Sequence, residues 1–159
     1  METATPWYEE VVLPALLRHA RVTYGAAMRR ELEEAGYDDV PGNGLYVIGG
    51  LAIGGGIPLG DLIKQLRISK QAAGQLVDML VTRGYLERTV DPDDRRKLTV
   101  SLTERGQAAA ATQAAARQRI DAELLARVGE EDIRRTRRTL AALIDMQRQA
   151  KQDEPQDDE

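Results

Sequence analysis

The segment 69–103 constrains the fold more than any other part of the chain; it is SKQAAGQLVDMLVTRGYLERTVDPDDRRKLTVSLT. Its first half places apolar residues three and four positions apart, which is the period of one helix face. These apolar residues are Ala73, Leu76, Val77 and Leu80. Ser69 can accept a hydrogen bond from a free backbone N–H at the helix start, and Gly84 suits the left-handed position after a helix. The pattern predicts a helix over residues 69–83.

Two short strands joined by a charged turn follow this helix. Residues 85–90 and 97–102 alternate apolar and polar side chains, which favours strands, and the intervening DPDDRR has the Asp and Pro residues of a turn. Upstream, residues 59–66 form a short helix joined to the first by Arg67 and Ile68. Helix, connector, helix and basic-tipped hairpin make a winged helix-turn-helix, whose second helix enters the major groove of duplex DNA.

Side chains on the other face of the second helix are candidate DNA contacts. Most are small or polar, so the helix can lie deep in a groove; Gln71 and Gln75 suit an adenine edge, and Lys70 can reach guanine or phosphate. Taken alone, the basic cluster at the hairpin tip could equally be a solvated turn, but the helices upstream favour DNA contact. The candidate DNA-binding residues are Ser69, Lys70, Gln71, Ala72, Gly74, Gln75, Asp94, Arg95, Arg96 and Lys97.

Residues 59–106 resemble the MarR family of bacterial transcriptional regulators. The motifs that carry the resemblance are LGDL at 59–62, ISK at 68–70, RGYLER at 83–88, DPDDRR at 91–96 and VSLTERG at 100–106. The resemblance implies that Arg96 enters the minor groove, that Asp94 orients the wing arginine, and that the protein is a regulator, expected to be a ligand-responsive repressor. Gln75 stands where the family often has a basic residue, which predicts a different operator preference.

Long amphipathic helices are predicted on both sides of this region. Residues 7–36 carry an apolar stripe of period near 3.6, with regular helix beginning near Leu13 because Pro14 is tolerated only in a first turn. Residues 107–150 carry another, broken at Gly129. Because neither helix has a partner inside a small winged-helix core, we expect a homodimer with interlocked terminal helices. An intramolecular helical cap is the alternative.

The predicted fold class is mainly α with a small β-hairpin wing (α+β), a winged helix-turn-helix with N- and C-terminal dimerisation helices. Residues 44–106 are predicted to form the DNA-binding domain, and residues 7–36 and 107–150 the helical dimerisation region. Residues 151–159 form an acidic tail that we expect to be disordered.

Composition limits the function classes. The chain has no cysteine, which excludes disulfides, thiolate metal sites and cysteine redox sensing. No run of about 20 apolar residues suggests a membrane span, and the N-terminus lacks the pattern of a secretory signal, so a cytoplasmic protein is expected. The net charge of −4 is unusual for a DNA-binding protein, although residues 58–105 carry 9 basic and 7 acidic residues and the local field matters more. A winged-helix protein-interaction module without DNA binding is therefore the alternative.

No enzymatic constellation is found in the sequence. His19 is the only histidine, with no ligands at metal spacing and no nucleophile–base set. We therefore expect no catalytic residue, no metal and no cofactor. The resemblance also implies a small aromatic effector, bound between the dimer helices and the DNA-binding lobe. His19, Tyr24 and Tyr46 are the candidate effector-binding residues, with room left by the adjacent Gly49 and Gly50.

Overall fold

The computed structural model describes residues 5–91, 93–94 and 97–152. It is mostly helical with one small three-stranded sheet, as the sequence predicts. After a 3-10 helix, Trp7–Glu10, the elements in chain order are α1 (Leu13–Glu34), α2 (Gly44–Gly54), β1 (Ile57–Pro58), α3 (Leu59–Leu66), α4 (Lys70–Thr82), β2 (Leu86–Val90), β3 (Leu98–Leu102) and α5 (Glu104–Gln152). The chain divides into two compact units, Met1–Gln118 and Arg119–Glu159.

The core of the first unit forms where α1, α2, α4 and the sheet bury their apolar side chains. α1 begins at Leu13 with Pro14 in its first turn, as expected, and buries Met28 and Leu32 near its end. α2 is helical through its paired glycines because it buries most of its apolar residues. The largest fully buried side chains are Tyr85, Leu32, Leu45, Ile48, Leu80, Leu86, Val77 and Val100.

The sheet has the strand order β1-β3-β2, and both pairings are antiparallel. The two-residue β1 pairs Ile57 with Val100 and so adds a third strand to the wing sheet. The β2–β3 hairpin pairs Leu86 with Leu102 at its base and Val90 with Leu98 near its tip. The β2–β3 hairpin is therefore joined to the rest of the unit through β1, which pairs with β3.

The helix-turn-helix is built from α3 and α4. Arg67, between them, adopts a left-handed backbone conformation with φ of 51°, uncommon for a residue with a side chain. Ser69 caps α4, its hydroxyl accepting a hydrogen bond from the backbone N–H of Ala72 at 3.2 Å. Gly84 follows the helix with φ of 76°. The cap and the stop signal predicted for this helix are both confirmed.

The start of α5 packs closely against the base of the wing. The Thr103 hydroxyl accepts from the N–H of Gly106 at 3.0 Å and donates to the carbonyl oxygens of Gly84 and Tyr85. A Cβ atom at position 106 would overlap the carbonyl oxygen of Tyr85, so only glycine fits there. Strand and helix are thus joined through one residue.

The second unit contains the remainder of α5. Gly129 has φ of 80° and ψ of 167°, which interrupts the helix where the sequence predicts a break. Two arginines beyond this break are paired along the helix surface: Arg134 lies 2.8 Å and Arg135 3.1 Å from the carboxylate of Glu131. The helix continues to Gln152, and residues 153–159 of the predicted acidic tail lie outside the described residues.

Candidate nucleic-acid interface

α4 presents one buried and one exposed face, as its sequence period predicts. Ala73, Leu76, Val77 and Leu80 pack into the core. The opposite face exposes Ser69, Lys70, Gln71, Gln75 and Asp78, whereas Ala72 and Gly74 are partly covered. The structure therefore brings six of the candidate contacts, Ser69, Lys70, Gln71, Ala72, Gly74 and Gln75, together on one helix and its cap.

An ion pair links α4 to the wing. The guanidinium of Arg88 on β2 contacts the carboxylate of Asp78 on α4, and the two side chains are partly exposed. An exposed pair of this kind contributes little to stability. It connects the wing to the polar face of α4 at one point.

The tip of the wing is shaped by Asp91. Its carboxylate accepts hydrogen bonds from the backbone N–H groups of Asp93 at 2.8 Å and Asp94 at 3.2 Å, an Asx turn. The backbones of Asp91 and Lys97 are hydrogen-bonded at 2.9 Å, which closes the hairpin. Lys97 is exposed, with its ammonium nitrogen 4.0 Å from the Asp94 carboxylate. The two wing arginines predicted to contact DNA, Arg95 and Arg96, lie outside the described residues.

A polar network that the sequence analysis missed lies beneath the wing. The buried Tyr85 donates its hydroxyl hydrogen to the carboxylate of Asp39, and Arg105 donates to both groups at 3.0 Å. Arg105 also lies over the Tyr85 ring, 4.7 Å from its centroid. Arg83, the C-cap of α4, donates to the Asp39 carbonyl oxygen. The loop after α1 is thereby joined to the end of α4 and the start of α5.

The network shifts the titration of its members. The hydrogen bond from Tyr85 and the positive charge of Arg105 together hold the pKa of Asp39 below its ordinary value, against an opposing effect of desolvation. Burial raises the pKa of Tyr85, and its hydrogen bond to Asp39 raises that pKa further. Asp39 is therefore ionised and Tyr85 neutral at neutral pH.

A cavity of about 630 Å³ lies between α1, α2 and the helix-turn-helix. Tyr46 lines it, with the Arg21 guanidinium 4.2 Å from its ring centroid, and Arg67 and Gly50 also contribute. The other candidate effector residues are not among those lining this cavity: Tyr24 packs against the core, and His19 is exposed on α1. Arg21 and Arg67 were not predicted, because α1 and the turn meet only in the folded chain.

Within the described residues, no group of three or more His, Asp or Glu side chains is placed to hold a metal ion. None of the helices in the described part of the chain has the length and apolar character needed to cross a membrane.

Known proteins resemble this chain in sequence over the winged helix-turn-helix and in fold over most of its length. Residues 38–97 match the model of the MarR family. No curated protein sequence matches the chain. Among solved structures, a MarR superposes with a TM-score of 0.75 at 18% identity, over 92% of this chain and 98% of that one.

Two similar structures contain DNA. A cysteine-to-serine mutant of MarR from E. coli in complex with operator DNA has a TM-score of 0.67 at 20% identity, over 87% of this chain and 99% of that one. The S. aureus MepR–DNA complex has a TM-score of 0.69 at 18% identity, over 86% and 99%. At these identities the structural likeness establishes the fold.

Proposed function

We propose that this chain is a regulator of the MarR family, a dimeric, sequence-specific DNA-binding protein that acts as a ligand-responsive repressor of a pseudo-palindromic operator. The observation that carries the proposal is the exposed polar face of α4, held beside a hydrogen-bonded wing. Two proteins of the same fold were solved with DNA, one of them with its operator. This supports DNA binding over a protein-interaction module.

In this proposal α4 enters the major groove and the wing lies on the adjacent minor groove. The carboxamides of Gln71 and Gln75 can each form two hydrogen bonds with an adenine edge, and Lys70 can contact guanine or phosphate. Lys97, Arg95 and Arg96 supply positive charge at the wing, with Arg96 in the minor groove. Phosphate contacts set the register, and base contacts carry the sequence information.

We propose a homodimer because each unit exposes apolar side chains that water would otherwise contact. Within residues 7–36 of the first unit these are Trp7, Tyr8, Val12, Leu13 and Val22; in the second unit they are Leu124, Leu125, Val128, Leu143, Ile144 and Met146. Patches of this kind mark interaction surfaces. We assign residues 7–36 and 107–150 to dimerisation and residues 44–106 to DNA binding. A two-fold dimer would then place two copies of α4 roughly one DNA turn apart, about 34–36 Å.

The cavity beside Tyr46 is proposed to hold a small aromatic acid. The Tyr46 ring offers an aromatic surface, and Arg21 and Arg67 supply positive charge for a carboxylate. Arg67 also precedes Ser69, the cap of α4, so a ligand that contacts it differently in two dimer conformations would change operator affinity.

Calorimetry with benzoate tests this pocket. Tyr46→Ala should weaken binding, whereas His19→Ala, on the exposed surface of the same unit, serves as the matched control. Unchanged affinity in Tyr46→Ala would exclude the cavity as the effector site. Weaker binding in His19→Ala would show that the effector site extends beyond the cavity to the exposed surface of α1.

We further propose that the protein has no catalytic activity and acts in the cytoplasm. Both follow from the regulatory role itself: binding to an operator requires no bond to be broken, and the operator lies with the genome.

Gel shifts on a duplex selected from a randomised library test the DNA-binding role. Arg96→Ala should weaken binding strongly with the fold intact, whereas Arg30→Ala removes the same charge from an exposed site on α1 and should not. Affinity should also fall steeply with added salt because bound counterions are released. A protein that binds no duplex at low salt, or whose affinity ignores salt, would contradict the proposal.

The same duplex tests base readout. Gln75→Ala should relax sequence preference more than it lowers total affinity, because a bidentate contact to a base is lost while phosphate contacts remain. Gln118→Ala, on an exposed part of α5, is the control. An unchanged preference on a randomised operator would exclude Gln75 as a base contact.

A further inference from the structure

Gly74 lies on the polar side of α4, where neither backbone conformation nor packing requires a glycine. It is in regular α-helix, and a Cβ atom built on it would meet no heavy atom within 4 Å. Gly84 differs in having φ of 76°, and Gly106 in that a Cβ would overlap a carbonyl oxygen. A glycine inside a helix destabilises it relative to alanine. The folded chain itself therefore gives no reason for this residue.

The surroundings of Gly74 point to a bound partner. Lys70 and Asp78 lie one helical turn to either side, and Gln71 and Gln75 complete the polar surface around it. All four neighbours are exposed. Gly74 itself is partly exposed, and because it has no side chain a group from outside can approach its Cα more closely than alanine would allow.

We propose that Gly74 is a specificity-determining residue whose Cα packs against the 5-methyl group of a thymine in each operator half-site. This rests on the proposed function, in which α4 occupies the major groove. There the thymine methyl projects from the same A·T pair that presents the adenine N6 and N7 atoms to a glutamine. Gly74 and a neighbouring Gln71 or Gln75 would thus recognise the two halves of one base pair.

The probe is a duplex selected by the wild-type protein from a randomised library, in which each thymine is replaced singly by deoxyuridine. Deoxyuridine lacks the methyl group and keeps the base-pairing edge. At one position per half-site the wild-type affinity should fall about fourfold, the value of one buried methyl group. Gly74→Ala should bind the thymine duplex about tenfold more weakly because the added methyl overfills the contact.

The combination of the two changes separates this contact from a general defect. On the duplex that carries deoxyuridine at that position, Gly74→Ala should recover most of its lost affinity, because one methyl group has replaced the other. The variant should also fold better, with an equilibrium constant for folding raised about fivefold. Gly60→Ala, on α3, is the matched control: its Cβ also meets nothing within 4 Å, and operator affinity should not change.

Two results would overturn the assignment while leaving the proposed function in place. One is wild-type affinity of Gly74→Ala for the selected duplex; the other is a loss that no deoxyuridine position restores. A wild-type protein that selects no duplex at all would overturn both the assignment and the proposed function.

Discussion

Replacing Tyr85 by phenylalanine tests the network beneath the wing. The ring is fully buried, so Tyr85→Phe keeps the packing and removes only the hydroxyl, which donates to Asp39 and accepts from Arg105. A hydrogen bond to a charged group contributes about 1.5–3 kcal/mol. Because the Asp39 side chain is 40% exposed and keeps Arg105 at 3.0 Å, water and that arginine replace part of the loss. We therefore expect the free energy of unfolding to fall by about 1–2 kcal/mol.

Urea unfolding at pH 7 measures this change, with Tyr8→Phe as the control because that ring is half-exposed. The control should stay within about 0.5 kcal/mol of the wild type. A double-mutant cycle with Asp39→Asn should show that the two losses are not additive. If Tyr85→Phe also unfolds within about 0.5 kcal/mol of the wild type, the hydroxyl does not stabilise the fold and the reasoning is refuted.

The contribution of Asp39 should also depend on pH. Its pKa is lowered in the folded chain, so the unfolded state binds the proton more tightly and the stabilisation is present above the ordinary value of 3.8. It is lost as the pH falls through the folded pKa. The difference between wild type and Tyr85→Phe should therefore shrink in acid, and a difference that stays constant down to pH 2 would exclude the ionised carboxylate as the partner.

Three further predictions concern the same unit. Gly49→Ala should destabilise the fold because its Cβ would lie 2.7 Å from the buried amide nitrogen of Gln113. Gly50→Ala adds a Cβ that meets no heavy atom within 4 Å, so it should stabilise the fold by up to about 1 kcal/mol. Urea unfolding that ranks the two variants in the opposite order would contradict the packing described for these glycines. Thr103→Ala should cost about 1–2 kcal/mol of stability through the lost helix cap, and Thr103→Ser should retain most of it. Above pH 10 stability should fall as the pH rises through the raised pKa of Tyr85, a loss that Tyr85→Phe should not show in a pH series of melts.

Local signals account for the parts of the fold that the sequence predicts. Three such features are the cap at Ser69, the left-handed Gly84 and the break at Gly129. Each depends only on residues within one or two helical turns of its own position, so its structural role follows from residue type. The exposed face of α4 follows from helical period in the same way. The strands begin one residue later than predicted, at Leu86 and Leu98, since the preceding residues belong to turns.

The missed features depend on contacts between distant parts of the chain. Asp39 is 46 residues from Tyr85 and 66 from Arg105, and nothing in the local pattern around Asp39 marks it as their partner. The effector hypothesis shows the same limit. His19 and Arg21 are two positions apart on α1 and so point about 200° apart around the helix; only Arg21 reaches the cavity.

The short junction between β3 and α5 fixes the base of the wing hairpin to the start of α5. Only Thr103 separates the last residue of the strand from the first residue of the helix. Its hydroxyl donates to the carbonyl oxygen of Tyr85, and the backbone of Gly106 packs closely against the same oxygen. The root of the hairpin must therefore move with the opening turn of α5. A ligand or partner that tilts the first turn of α5 would therefore move the β2–β3 hairpin with it, since no flexible segment separates the two.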